Sequence, residues 1–158
     1  MEKLKILVAE DDLPSLLLLE KLLTDWGYEV SSAHDGESAR QMLQRGGFHL
    51  CLLDWQMPEM TGRDLCEWIH SSEIAPVPYV ILLTAKGKPQ QICDGFAAGA
   101  NDYIIKPFDR DDLRYRLAGL ALRVVRAEAL GEQAARMEPM EIYRLDLSRY
   151  RKELGSSS

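Results

Sequence analysis

Four short apolar runs in this chain end on residues able to do acid, hydroxyl or ammonium chemistry. KILVA leads into Glu10, Asp11 and Asp12, HLCLL into Asp54, PYVILL into Thr84, and NDYII into Lys106 and Pro107. A carboxylate such as that of Asp54 can attack phosphorus when a cation partly offsets its charge and the transferring oxygens are held. Mg²⁺ suits this role, because it takes oxygen ligands and keeps several waters, so two or three carboxylates suffice. Asp11 is then the second direct ligand, and Glu10 reaches the metal through water. Three acids so close repel one another, and a bound cation relieves that repulsion. On the other side, the Thr84 hydroxyl and the backbone N–H of Ala85 can donate to a phosphoryl oxygen. The Lys106 ammonium can pair with Asp54 before transfer and with the phosphoryl group afterwards. A cis Lys106–Pro107 bond would aim the lysine back toward the acids.

These groups meet only if the four runs are parallel strands of one sheet, whose C-terminal ends line the crevice where open α/β sheets hold ligands. Strand patterns fall at 4–9, 28–32, 49–53, 79–83 and 102–105, and helical patterns at 14–26, 36–45, 61–71, 89–98 and from 111 onward. This alternation predicts a βα-repeated parallel sheet, and right-handed crossovers make it an α/β, three-layer αβα sandwich of five strands. ILVA, LCLL and YVILL are nearly continuous apolar runs, as inner strands covered on both faces require. Asp12 is placed to cap the first helix. Leu16, Leu19, Leu23 and Trp26 form that helix's core face, with Leu17 and Leu18 beyond it.

Composition narrows the class. The 158 residues carry 46% hydrophobic and 28% charged side chains and a net charge of -6, so the chain reads as a soluble globular domain without the basic stripe that phosphate backbones demand. Cys51, Cys66 and Cys93 are odd in number and lack a C-x-x-C pair, which suggests reduced core thiols in a cytoplasmic protein. No run approaches the ~20 apolar residues of a membrane helix, and MEKLKILVAE does not read as a signal peptide. His34, His49 and His70 have no partner acid or serine at informative spacing and read as structural.

The order EDD, then D-W-Q-M-P-x-M-x-G, then T-A, then K-P-F resembles the receiver domain of two-component response regulators, the CheY-like family, from about residue 3 to 122. The resemblance implies a flavodoxin-like sheet in the order 2-1-3-4-5. It implies that Asp54 is the phospho-acceptor, that Glu10 and Asp11 are the acidic pair, and that the backbone carbonyl of Gln56 is a further Mg²⁺ ligand. Thr84 matches the switch hydroxyl, Lys106 the family lysine, and Tyr103 the aromatic whose rotamer reports activation. Gln56 and Lys86 fall where the family varies and are expected to tune dephosphorylation. The implied donor is a phosphohistidine on a sensor histidine kinase or histidine phosphotransfer protein. Leu17 and Leu18, on a helix that starts beside the acidic pair, read either as a docking patch for that helical partner or as singly exposed leucines. The implied output is the surface of the fourth helix, fifth strand and fifth helix. The protein would then be a signalling phosphoacceptor and not an enzyme in the ordinary sense.

Two other readings use the same residues: a Mg²⁺-dependent aspartate-nucleophile phosphatase, and a receiver-like interaction module that is never phosphorylated. The phosphatase needs a general acid two residues after the nucleophile, where this chain has Gln56.

Beyond residue 123 the pattern changes. The expected organisation is a receiver domain at 1–123, a helical extension at 124–154 and a flexible tail at 155–158. Met140, Tyr143, Leu147, Tyr150 and Leu154 form a heptad-like seam after Pro139. That seam suggests a coiled coil or helical hairpin, and a homodimer through these helices and the output face. An output domain, if there is one, would follow residue 158.

Overall fold

The computed structural model describes residues 3–85 and 87–134. Ten elements alternate: β1 (Lys5–Ala9), α1 (Leu13–Asp25), β2 (Glu29–Ala33), α2 (Gly36–Gln44), β3 (Leu50–Asp54), α3 (Gly62–Ser71), β4 (Tyr79–Thr84), α4 (Pro89–Ala97), β5 (Asp102–Ile105) and α5 (Arg110–Ala134). The five strands form one parallel sheet in the order β2-β1-β3-β4-β5. This is the expected flavodoxin-like arrangement. β3, the middle strand, is buried along its whole length, which is why LCLLD shows no polar alternation.

Side chains alternate across the sheet. Leu7, Ala9, Cys51, Leu53, Val80 and Leu82 pack on one face with Leu43 of α2 and with Leu65, Cys66 and Ile69 of α3. Ile6, Val8, Leu50, Leu52, Ile81 and Leu83 are buried on the other face. That face belongs to α1 and the first part of α5, whose Leu16, Leu19, Leu23, Leu113 and Leu117 are also buried. Arg114 lies over the ring of Trp26 at 5.9 Å, which joins α5 to α1.

Local sequence explains the boundaries. Asp12 caps α1, its carboxylate accepting from the Ser15 N–H, and Pro14 sits in the first turn where its missing N–H costs nothing. α3 opens with a capping box in which the Thr61 hydroxyl accepts from the Asp64 N–H and Asp64 accepts from the Thr61 N–H. Gly27 stops α1 with a φ of 97°, a conformation open to glycine.

Some expectations shift. β3 and β4 each run one residue further, so Asp54 and Thr84 end their strands instead of following them. Thr61 lies outside α3 as its cap, and Trp26 is half-buried while Leu22 is buried. Cys51 and Cys66 are buried but Cys93 is exposed on α4, so only two of the three thiols are in the core. Burial raises the Cys51 thiol well above its usual range and pushes Cys66 up to about 12, so neither is a thiolate at neutral pH. His49 accepts from the Lys5 N–H through Nδ1, a structural role. α5 is helical through Gly131 to Ala134. Lys86, the seam from Met140 to Leu154 and the tail at 155–158 lie outside the described residues. Among the described residues no helix is long and apolar enough to cross a membrane.

Candidate functional site

The sheet order sets the site. Asp54 ends the middle strand, with β1 on one side and β4 on the other, and β5 lies beyond β4. Backbone hydrogen bonds continue one residue past the strand ends. The Glu10 N–H donates to the Ala33 carbonyl at 3.1 Å, the Trp55 N–H to Leu83 at 2.7 Å, and the Lys106 N–H to Thr84 at 2.8 Å. Each reactive side chain is therefore held by the sheet or by its immediate continuation.

Glu10, Asp11 and Asp54 bring carboxylate oxygens within 4.8 Å of one another. Glu10 is only 1% exposed and Asp54 5%, while Asp11 faces solvent. Lys106 Nζ sits 3.1 Å from Asp54 Oδ2 and donates to both oxygens of Glu10 at 3.0 and 3.1 Å. The pairing with Glu10 was not anticipated from sequence, where this acid was assigned only to a water on the metal. The Lys106–Pro107 bond is cis.

Two groups in this cluster titrate away from their ordinary ranges. Burial, reinforced by the neighbouring Asp54, pushes the Glu10 carboxyl up to about 7, although Lys106 pulls the other way. Partial burial acts to lower the Lys106 ammonium, but its hydrogen bond to Glu10 and the charge of Asp54 outweigh that and raise it. One ammonium does not fully offset the three acids.

The loop after β3 wraps the carboxylate. The Gln56 N–H donates to Asp54 Oδ1 at 3.2 Å, and the Gln56 side chain is exposed. Gly62 packs so close to the Asp54 carbonyl that a Cβ would overlap it, so the start of α3 closes directly onto the acid's backbone. The Gly62 N–H also donates to the Trp55 carbonyl at 3.1 Å.

On the β4 side, Thr84 is 5% exposed and Ala85 is exposed just beyond it. Tyr103, on β5, is half-buried and meets Phe96 of α4 edge to face, with centroids 5.7 Å apart. Thr84 and Tyr103 line one narrow apolar cavity under α4, together with Trp55 and Phe96. Sequence reading did not single out Trp55 or Phe96. The available signal was Gly95 inside a helix, next in space to the residue that follows Asp54. Beside Lys106, an open groove is lined by Leu18, Leu19 and Phe108. Leu17 and Leu18 are 54% and 40% exposed, and Leu13, also exposed, extends the patch.

The donor set suits a hard divalent cation: three carboxylates, two buried, among them a Glu10 whose raised carboxyl a cation would draw back down. The acidic pair, Asp54 and the neighbouring ammonium also form a place where a transferring phosphoryl group could be held.

A model of the response regulator receiver domain matches residues 6–118. The transcriptional regulatory protein RprY of Bacteroides fragilis is 37% identical over 123 residues, 78% of this chain and 51% of that protein. The chemotaxis protein CheY of Pseudomonas aeruginosa is 34% identical over 122 residues, 77% of this chain and 98% of that protein. The chain thus spans about half the length of the transcriptional regulators it matches. Among solved structures, the receiver domain of a sensor histidine kinase from Pseudomonas aeruginosa aligns with a TM-score of 0.67 at 29% identity, over 73% of this chain and 95% of that one. That structure has a magnesium ion coordinated in its active-site cleft.

Proposed function

The chain belongs to the response regulator receiver domain family, and on that premise we propose that it accepts a phosphoryl group on Asp54 from a phosphohistidine. An Asp54 oxygen attacks phosphorus, the P–N bond breaks, and the imidazole of the donor leaves. Water later cleaves the acyl phosphate and restores the carboxylate. The observation that carries this reading is the convergence on Asp54 of two further acids and the Lys106 ammonium.

Glu10, Asp11, Asp54 and the Gln56 carbonyl are the proposed ligands of Mg²⁺, which when bound neutralises charge on the transferring oxygens. Lys106 pairs with Asp54 in the resting state and moves to the phosphoryl oxygens after transfer. The Thr84 hydroxyl and the Ala85 N–H donate to the same oxygens. Phosphorylation adds roughly -1.5 to -2 charges and three strong acceptors. Thr84 moves toward them, Tyr103 turns into the cavity that Thr84 lines, and the surface of α4, β5 and α5 changes shape.

The donor is a histidine kinase or phosphotransfer protein in the cytoplasm, docking through Leu17 and Leu18 and the adjoining groove. The output is a partner, a second copy paired through the α4-β5-α5 face and the C-terminal helices, or a further domain. Neither nucleic acid nor membrane is a direct ligand in this reading. Incubation with acetyl phosphate and Mg²⁺ should add the mass of one phosphoryl group, and Asp54→Ala should abolish that gain. An unlabelled wild-type chain, or a labelled Asp54→Ala variant, would refute the acceptor role.

A further inference from the structure

The cavity beneath α4 contains a polar group that the proposed reaction does not use. Gln91, in the first turns of α4, lines the cavity with Trp55, Thr84, Gly95, Phe96 and Tyr103. Its Oε1 is fully buried and accepts no hydrogen bond. A buried acceptor left unpaired is destabilising, and this one belongs to a side chain in the wall of a cavity whose lining is otherwise mostly apolar. The strain has a place to be relieved, because Tyr103 is in the same wall.

The rest of the cavity leaves α4 little freedom to approach on its own. A Cβ on Gly95 would come 3.0 Å from Leu82 Cδ1 and 3.1 Å from Trp55 Cζ3, so the helix already rests directly on the sheet and on the Trp55 ring. Asp94, the preceding residue, pairs with Arg63 of α3 at 2.8 Å. A group entering the cavity must therefore come from the side of Phe96 and Tyr103, where the two rings meet edge to face. A tyrosine suits such a space, since its ring fills apolar volume and its hydroxyl both donates and accepts, so it can meet either end of a side-chain amide.

We propose that Gln91 is the positioning residue of the switch: its buried amide receives the Tyr103 hydroxyl when the ring turns inward, and that bond holds α4 in its activated arrangement. This rests on the inward turn of Tyr103 put forward above, and adds the group that captures it. In the resting state the amide oxygen is unpaired; in the activated state it is paired. The difference between the two states favours activation by the worth of one buried hydrogen bond. With Gln91 absent, phosphorylation would still pull Thr84 toward the phosphoryl group but Tyr103 would be held only by packing.

The test follows the backbone amide resonances of Gly95 and Ala100 in the full chain with saturating acetyl phosphate and Mg²⁺, with intact mass measured on the same sample. Wild type should be labelled and its two amides shifted. Gln91→Leu should label to the same extent, while its activated-to-resting ratio falls about fivefold, the worth of one net hydrogen bond. Tyr103→Phe should lower the ratio similarly, and the double variant should add nothing further, since both remove the same bond. An unchanged ratio in Gln91→Leu, or additive losses in the double variant, overturns the latch and leaves the switch standing. A labelled wild type with unshifted amides overturns the switch and the latch together. Failure of wild type to label removes the acceptor role on which both depend.

Discussion

Glu10 is the residue whose environment makes the sharpest demand. It is almost wholly buried, beside the Asp54 carboxyl and the Lys106 ammonium, and its own carboxyl is pushed up to about 7. Its folded-state value lies above the ordinary 4.5, so between these limits the folded chain holds a proton that the unfolded chain lacks. Glu10 therefore contributes stability fully present below about 4.5 and lost as the pH rises through about 7. A divalent cation needs the ionised form and competes with that proton. The expected outcome is that apparent Mg²⁺ affinity climbs as pH rises to about 7 and levels off above it, as calorimetric titration at several pH values would measure. Glu10→Gln should flatten this profile and weaken binding by about 10–100-fold, the usual cost of losing a group that supports a metal site. A wild-type profile already flat below pH 7 would contradict the assignment. The acids themselves were legible in the sequence because each follows an apolar run. The Glu10–Lys106 pair was not, since it joins residues 96 positions apart whose side chains could have turned either way.

At the scale of elements, two helices are fitted to the site in different ways. α3 approaches the Asp54 carbonyl through Gly62, where any side chain collides with backbone that cannot yield. Gly62→Ala is expected to cost roughly 1–3 kcal/mol by denaturant unfolding, the range for overpacking, and to slow acetyl phosphate labelling because the loop around Asp54 is displaced. α1 presents Leu13, Leu17 and Leu18 to solvent next to the acidic pair. Changing Leu17 and Leu18 together to serine should slow phosphotransfer from a histidine kinase and leave acetyl phosphate labelling intact. Equal rates in both assays would remove α1 as a docking surface. Periodicity found all ten elements, most to within a residue at either end. It did not find where β3 and β4 stop, because Asp54 and Thr84 keep their ladder bonds although their chemistry suggests a loop. Nor did it expose the α4 cavity, which depends on Trp55 following Asp54 and packing against a glycine in a distant helix.

For the molecule as a whole, the parallel order β2-β1-β3-β4-β5 puts Asp54 on the innermost strand, Glu10 and Asp11 just past β1 and Thr84 on β4 to either side, and Lys106 just past β5, one strand further out. Fold and acidic cluster follow from one sequence pattern, apolar runs closed by reactive residues. The extension is a different case: its seam was read from spacing, and Met140 to Leu154 lie outside the described residues. Light scattering tests its proposed role directly. The full chain should run as a dimer, at least when phosphorylated, and a chain ending at residue 123 as a monomer; monomers in both cases would rule the pairing out. Because Glu10, Asp54, Thr84 and Lys106 hang from the sheet or its immediate continuation, while the exposed Leu17 belongs to α1, the proposed chemistry and the proposed docking surface occupy different parts of the molecule. On that reading, exchanging the exposed residues of α1 should redirect which sender is heard while the proposed reaction in the centre is left as it was.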